Sequence, residues 1–232
     1  MQRHLVVIPA FNEAEFISGV IDGLKRIGES DILVIDDGSR DKTAEIVRRL
    51  GVDVLSHSYN LGYGAALQTG FRFAMGRGYE YVVTMDADGQ HDPASILSLF
   101  KRMEDEGADV VIGSRFLEGD YKMDFARRVG SWIFAKVARF YTGYRFTDPT
   151  SGFQLLNYKA YTCLATEEVY PLDYPDLNII MLLHKKRFKV IEAPVHMSIN
   201  NAGDSMHSGL KPFMYVVRMA LAVIMILLRK EI

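Results

Sequence analysis

The sequence lacks the features that would place it in several large classes of protein. Among its 232 residues there is one cysteine, Cys163, which excludes an internal disulfide and a thiol pair for a metal. It also lacks an excess of positive charge, because 27 Lys and Arg stand against 29 Asp and Glu, and the formal net charge is −2. Nucleic-acid binding usually requires a broad positive field. We therefore expect no nucleic-acid partner, and the lone thiol is typical of a reducing cytoplasm.

The sequence also lacks an uninterrupted apolar run long enough to cross a bilayer. Its most apolar segment, Leu210–Leu228, contains Lys211, Pro212 and Arg218, which leaves fewer than the ~20 continuous residues that a membrane-spanning helix needs. The N-terminus leads directly into the strand-like run Leu5–Ile8, without the basic start and long apolar stretch of a secretory signal. The expected location is therefore inside the cell.

The C-terminal segment, residues 206–232, is predicted to form an apolar helix at a membrane interface. Cationic residues flank its apolar part, namely Lys211, Arg218, Arg229 and Lys230, and such a helix is attracted to anionic headgroups. A helix buried in the core would show the same pattern, and a contact with a small membrane partner protein or a second copy of the chain is a further alternative. The first interpretation predicts a cytoplasmic protein, peripheral at the inner face of the membrane.

The rest of the chain has the pattern of one α/β domain, at residues 1–205. Apolar runs that are typical of buried strands alternate with helix-patterned segments, and this alternation predicts a mostly parallel sheet. The nucleotide-binding half is expected at about residues 1–115 and the acceptor half at about 116–205. The predicted strands are Leu5–Ile8, Ile32–Ile35, Tyr81–Met85, Val110–Ile112 and Val190–Ala193, and the predicted helices are Glu13–Ile27, Asp41–Leu50, Gly64–Met75 and Pro93–Glu106.

Acidic and amide residues follow three of the predicted strands. Asn12-Glu13, Asp36-Asp37 and the pair Asp86 and Asp88 each stand directly after a strand-like run. In parallel α/β sheets the ligand site forms beyond the carboxyl ends of the strands. We therefore expect these three clusters to meet at one edge of the sheet.

The strongest chemical signal is the segment Met85–His91, which contains Asp86, Asp88 and Gln90. Residues two apart on an extended chain point to the same side. Carboxylate and amide oxygens are ligands that Mg²⁺ and Mn²⁺ prefer, with open positions left for water or phosphate oxygens, and Gly89 permits a sharp turn. A bare Asp-x-Asp is more often a solvated acidic turn, so the wider sequence context decides the interpretation.

That context consists of several spaced motifs, which are Pro9-Ala10-Phe11-Asn12-Glu13, Asp36-Asp37-Gly38-Ser39, Asn60-Leu61-Gly62-x-Gly64, Asp86–Pro93, Gly113-Ser114-Arg115 and Asp148–Phe153. Together they resemble the family 2 glycosyltransferases of the GT-A type, over roughly residues 4 to 200. Within that family the chain is most similar to the dolichyl- and polyprenyl-phosphate sugar synthases, such as the mannose synthases. The resemblance implies a GT-A fold and an inverting transfer from GDP-mannose or a UDP-sugar to a lipid phosphate, without a covalent intermediate.

The resemblance also implies roles for residues of the donor half. Pro9, Phe11 and Glu13 would line the base and ribose pocket, although many relatives have Tyr at the position of Phe11. Asp37 would hydrogen-bond the base, while a turn or cap at the helix that starts near Asp41 is an alternative for this residue. The metal ligands would be Asp86, Asp88 and Gln90, holding Mg²⁺ or Mn²⁺ against the donor diphosphate.

In the acceptor half, the resemblance assigns Arg115 and Arg128 to the phosphate of the lipid acceptor, and the arginine fork suits phosphate oxygens. Arg127 and Arg139 are interpreted as a solvated helix face. Asp148 matches the general base of relatives that use hydroxyl acceptors. A lipid phosphate is already anionic, however, and Asp148 would then position the acceptor or its loop.

One departure concerns the position where relatives often carry Arg, which is Asn200 here; His196 and His207 are candidates to replace that cation. Transfer to a saccharide hydroxyl in cell-wall or exopolysaccharide synthesis is the alternative function. A nucleotidyltransferase is disfavoured because the segment Pro9–Glu13 stands where such enzymes usually have a Gly-rich phosphate loop. A catalytically inactive binding module is disfavoured because Asp86, Asp88 and Gln90 are all retained.

Overall fold

A computed structural model describes residues 3–117, 136, 139–168, 170–172 and 177–197. The predictions for Arg127, Arg128, Asn200, His207 and the segment 206–232 therefore lie outside the described residues. Within them, the strands are β1 (His4–Ala10), β2 (Ile32–Asp36), β3 (Asp53–Ser56), β4 (Tyr81–Thr84), β5 (Val110–Ser114), β6 (Gln154–Asn157) and β7 (Val190–Pro194). The helices are α1 (Ile17–Arg26), α2 (Thr43–Arg49), α3 (Tyr63–Arg77), α4 (Ile96–Glu106), α5 (Tyr158–Ala165) and α6 (Leu177–Lys185), with a 3₁₀ turn at Pro93–Ser95.

The seven strands form one sheet in the order β3-β2-β1-β4-β6-β5-β7. Neighbouring strands are parallel except at β6, which runs antiparallel to both β4 and β5. This arrangement confirms the predicted α/β fold with a mostly parallel sheet. The prediction missed β3 and β6, which are four residues each. β3 is largely exposed and β6 has two buried residues, so neither presents the apolar run of a central strand.

The predicted helix Glu13–Ile27 begins later than expected, because α1 starts at Ile17. The residues before it are held in a loop by side chains of the next connection, with the backbone N–H of Glu13 donating to Thr43 Oγ1 at 2.9 Å. Asp92 caps the segment before α4, since its side chain accepts from the N–H of Ala94 at 3.0 Å. That capped segment is a 3₁₀ turn before α4 begins.

Helices cover both faces of the sheet, and β1 shows how its side chains divide between them. Leu5 and Val7 belong to the core shared with α3, α5 and α6, whereas Val6 and Ile8 belong to the core shared with α1 and α4. Successive strand residues point to opposite faces. Because both faces are buried, β1 is a continuous apolar run, which is the signal that made it predictable.

No helix among the described residues is both long and apolar enough to span a membrane.

Helix α3 packs very closely on the sheet at Gly70. A Cβ added there would overlap Cγ1 of Val7, whereas a Cβ at Gly76, later in the same helix, would meet open space. Substitutions at these two glycines therefore compare the effect of close packing with that of helix propensity within one helix. Gly70 is buried and Gly76 is exposed.

We expect Gly70→Ala to lower the free energy of unfolding by about 1–3 kcal/mol, as overpacking of a core does. Gly76→Ala is the matched control and should raise the free energy of unfolding by about 0.5–1 kcal/mol, because alanine loses less backbone entropy in a helix. Urea denaturation measures both. Equal effects of the two changes would show that α3 does not contact β1 this closely.

Candidate active site

The loops that follow β1 and β2 are joined by side-chain hydrogen bonds. The N–H of Asn12 donates to Ser39 Oγ at 2.9 Å, and the N–H of Arg40 donates to Asn12 Oδ1 at 2.8 Å. Asn12 has a φ of 58°, in the left-handed region that asparagine tolerates better than most residues. These bonds hold the segment that contains Phe11 and Glu13 against the segment that follows β2.

Asp41, and not Asp37, hydrogen-bonds the first residue of α2. Asp41 Oδ1 accepts from the N–H of Thr43 at 3.0 Å, at the start of α2. The buried carboxylate of Asp37 points away from α2 and accepts from the backbone N–H groups of Leu61 and Gly62, both at 2.9 Å. The alternative that Asp37 caps the helix starting near Asp41 is therefore wrong, because its carboxylate is bound by the segment before α3. Its predicted contact with a base stays a prediction.

The first side chain of α3 reaches the acidic segment after β4. Tyr63 Oη donates to Asp86 Oδ1 at 2.7 Å, and His91 Nε2 lies 3.0 Å from Asp86 Oδ2. Burial alone would raise the pKa of Asp86, but the hydrogen bond and charge of His91, the hydrogen bond of Tyr63 and the charge of Arg115 hold it below its usual range. Asp86 is therefore an ionised carboxylate with two fixed donors.

The turn Asp148–Gly152 contacts the same carboxylate. A Cβ added to Gly152 would lie 2.5 Å from Tyr63 Oη and 2.6 Å from Asp86 Oδ1. The carbonyl of Gly152 accepts from Thr84 Oγ1 at 2.7 Å. Glycine is required here because any side chain would displace Asp86 or Tyr63, and this explains the glycine within the motif Asp148–Phe153.

Asp88 and Gln90 are joined to each other. Gln90 donates to Asp88 through its backbone N–H (3.0 Å) and through Nε2 (2.7 Å). Burial and then the charge of Asp86 raise the pKa of Asp88, despite these hydrogen bonds. Gln90 thus fixes the side chain of Asp88. Its predicted role as a metal ligand stays a prediction.

Glu13 completes a concentration of negative charge at this edge of the sheet. Burial, followed by the charges of Asp88, Asp86 and Asp41, raises the pKa of Glu13 to about 7. Like charges disfavour ionisation of one another. The Glu13 carboxyl is therefore close enough to the Asp86 and Asp88 carboxylates to interact with both, as the sheet-edge prediction required.

Among the described residues, no three His, Cys, Asp or Glu side chains are arranged to hold a metal ion by themselves. The oxygen donors of Asp86 and Asp88 suit a hard divalent cation. Burial first, and then the charges of these neighbouring carboxylates, raise the pKa of Glu13. The donor chemistry of Asp86 and Asp88 therefore fits a divalent cation.

The residues predicted for the acceptor half form a second network. Arg115 Nε donates to Asp148 Oδ2 at 2.6 Å and Arg115 Nη2 donates to Asp148 Oδ1 at 3.3 Å, a two-pronged pair in which Asp148 is buried. Glu192 of β7 accepts from the N–H groups of Asp148 (2.7 Å) and Thr147 (2.9 Å). Burial raises the pKa of Glu192, partly offset by these hydrogen bonds. The structure brings Arg115 and Asp148 together.

The other predicted residues have different surroundings. Pro9 is buried in β1, while the side chain of Phe11 is 42% exposed beside the site. Arg139 is exposed, as expected of a solvated helix face. The N–H of His196 donates to Ser95 Oγ at 3.3 Å, and the carbonyl of His196 accepts from Asp92. His196 thus joins the β7 end to the segment before α4.

Sequence reasoning missed Tyr63, His57 and Glu192. Tyr63 is the variable position x of the motif Asn60-Leu61-Gly62-x-Gly64, and a variable position carries no functional signal in the sequence. His57 stands alone outside any motif, and its position 2.7 Å from Asp37 depends on how β3 ends. Glu192 lies in a strand that was predicted for its apolar residues, so its acidic side chain carried no signal.

Comparison with known proteins identifies related sequences and folds. The glycosyl transferase family 2 model matches residues 5–164. An undecaprenyl-phosphate mannosyltransferase of Micrococcus luteus is 30% identical over 217 residues, covering 89% of this chain and 88% of that protein. A UDP-N-acetylglucosamine–dolichyl-phosphate N-acetylglucosaminyltransferase of Methanococcus voltae is 28% identical over 210 residues, covering 82% of this chain and 83% of that protein.

Among solved structures, glucosyl-3-phosphoglycerate synthase from Mycobacterium tuberculosis, in complex with Mn²⁺ and UDP-glucose, has a TM-score of 0.66 and 17% identity, covering 94% of this chain and 78% of that one. The match confirms the predicted GT-A fold.

The raised pKa of Glu13 predicts that the metal-free protein loses stability as the pH rises. Between the ordinary value of 4.5 and about 7, the folded state keeps a proton that the unfolded state has lost, so the free energy of unfolding falls with pH across this window. Glu13→Gln cannot ionise and should flatten the fall. Urea denaturation in the presence of a chelator, from pH ~5 to ~8, measures the slope. Parallel curves for the two proteins would contradict the prediction.

Proposed function

Because this chain belongs to glycosyl transferase family 2, we propose that it moves a sugar from a nucleotide-sugar donor to a polyprenyl phosphate acceptor. The acceptor oxygen attacks the anomeric carbon from the face opposite the leaving diphosphate, so that the configuration inverts in a single displacement. The enzyme forms no covalent intermediate in this reaction. The observation that carries the proposal is the meeting of Asp86, Asp88 and Glu13 at the carboxyl edge of the sheet.

The donor diphosphate is proposed to complete a divalent cation site at Asp86 and Asp88, with Gln90 fixing Asp88 or adding its own amide oxygen. A bound Mg²⁺ or Mn²⁺ would neutralise the charge that develops on the leaving diphosphate. The chain supports this with an ionised Asp86, held by Tyr63 and His91. Preorganised charge of this kind is usually the largest contribution to catalysis.

The lipid phosphate acceptor is supported by the two curated relatives described above, whose names include undecaprenyl phosphate and dolichyl phosphate. We propose that Arg115, together with Arg128, contacts the acceptor phosphate. Arg115 is oriented by its two-pronged pair with Asp148. A lipid acceptor places the reaction at a membrane surface, and the segment 206–232 is the proposed contact with it; a membrane partner protein or a second copy remains the alternative contact.

A positioning role for Asp148 is favoured over a general base. A base must reach the proton that it removes, but the carboxylate of Asp148 is buried and held by Arg115. An acceptor phosphate needs no deprotonation, whereas a saccharide hydroxyl does. The buried ion pair therefore supports the lipid phosphate over the saccharide acceptor.

Purified protein incubated with a labelled nucleotide sugar, Mn²⁺ and polyprenyl phosphate should produce a labelled product that extracts into organic solvent. Asp88→Asn should lower kcat by at least about 10²-fold, the usual cost of losing a group that stabilises transition-state charge. Asp105→Asn is the matched control, because Asp105 is an exposed carboxylate of α4, and it should leave the rate unchanged. Transfer to water-soluble saccharides alone would contradict the lipid acceptor.

A double-mutant cycle of Arg115→Gln and Asp148→Asn tests the role of Asp148. If Asp148 acts by holding Arg115, each single change should cost about as much activity as the double change, because contacting residues are not additive. A general base predicts instead that Asp148→Asn alone lowers kcat by ~10²–10⁴-fold and removes an ionisation from the pH profile. Steady-state kinetics from pH ~5 to ~9, with thermal denaturation to confirm folding, separates the two.

A further inference from the structure

The Asp37 carboxylate stands where the donor base is expected, yet most of its hydrogen-bonding capacity is already used. Its Oδ1 accepts from the N–H of Leu61 at 2.9 Å and lies 2.7 Å from His57 Nδ1, and its Oδ2 accepts from the N–H of Gly62 at 2.9 Å. The oxygens of a carboxylate accept at about four positions, and His57 Nδ1 is the donor to one of them. The described residues therefore leave one position, on Oδ2.

The three donors are fixed in place. The second ring nitrogen of His57 lies 3.0 Å from Thr69 Oγ1 on α3. Gly62 has a φ of 105°, which favours glycine, and a Cβ added to Gly38 would lie 2.6 Å from the carbonyl carbon of Tyr59. The segment 57–62 thus packs directly on the turn that carries Asp37. A ligand cannot displace these donors without breaking that packing.

Because Asp37 has one free acceptor position, it should discriminate between bases by the number of adjacent N–H donors that each base presents. Guanine presents two adjacent donors, N1–H and the N2 amino group, and a carboxylate binds both with its two oxygens. Uracil presents one imino donor, N3–H, between two carbonyl groups. With Oδ1 filled, guanine would leave one N–H beside a buried side chain without a partner, and such a loss is costly.

We propose that Asp37 makes this chain select a donor nucleotide whose base carries a single imino N–H, as uracil does, over guanine. The inference rests on the proposed function, because it requires a nucleotide-sugar donor whose base meets Asp37. Only 4% of the Asp37 side chain is exposed. This small exposed surface suits one hydrogen bond to a base better than two. The position of His57 therefore contributes to donor specificity through Asp37.

Isothermal titration with UDP, GDP and N3-methyl-UDP, each with Mn²⁺, tests the proposal on the unaltered protein. UDP should bind about 10- to 100-fold more tightly than GDP, the range expected for one hydrogen bond to a charged group. N3-methyl-UDP lacks the imino donor and should lose affinity by a similar factor. Pyrophosphate measures the contribution of the phosphates, which all three ligands share.

His57→Phe removes one donor from Oδ1 and should therefore reduce the ratio of UDP to GDP affinity. His184→Phe is the matched control, because His184 lies on α6 and contacts Tyr141 and Tyr144, and it should leave the ratio unchanged. The ratio of the UDP affinity to the GDP affinity does not change when part of the protein is inactive, because both affinities are measured on the same preparation. The N3-methyl comparison does not depend on either variant folding.

GDP binding as tightly as UDP, or N3-methylation without effect, would overturn the inference and leave the proposed function intact. An unchanged ratio in His57→Phe would overturn the role of His57. Binding of neither UDP nor GDP in the presence of Mn²⁺ would overturn the proposed function and this inference with it.

Discussion

Repulsion among the carboxylates at the carboxyl edge of the sheet is the constraint on which the rest of the site depends. Asp86 remains ionised because Tyr63 and His91 are placed to stabilise its charge, whereas Asp88 and Glu13 carry raised pKa values. The fold thus holds acidic groups together at a cost that a divalent cation would relieve. The same groups that weaken the metal-free protein are those proposed to bind a cation against the donor diphosphate.

The start of α3 connects the two ends of the donor site. The N–H of Gly62 binds Asp37, and the next residue, Tyr63, binds Asp86. One residue further, the N–H of Gly64 donates to the carbonyl of Leu172 at 2.7 Å. A single turn of chain therefore connects Asp37, Asp86 and Leu172, so a shift of α3 would move the proposed base, diphosphate and acceptor contacts together.

The sequence alone predicted which acidic residues lie at the carboxyl edge of the sheet, but it did not predict most of the side-chain contacts of the site. Asp86, Asp88 and Glu13 could be placed together because each follows a buried apolar strand, and strand order carries that information. The ion pair of Arg115 with Asp148, and the hydrogen bonds of Glu192 that support it, could not be predicted. These residues are far apart in the sequence and meet through β5 and β7. The predicted start of α1 was wrong for a similar reason, since the N–H of Glu13 donates to Thr43 at the start of α2, 30 residues away in the sequence.

The antiparallel strand β6 lies between β4 and β5, although it comes from the part of the chain assigned to the acceptor. A fragment ending near residue 115 would therefore expose the apolar edge of β4, and an exposed strand edge promotes aggregation. The two proposed halves of the chain share one sheet, because β6 and β7 pair with β4 and β5. We therefore expect changes of ligand preference in this architecture to arise in the side chains and loops around the shared sheet.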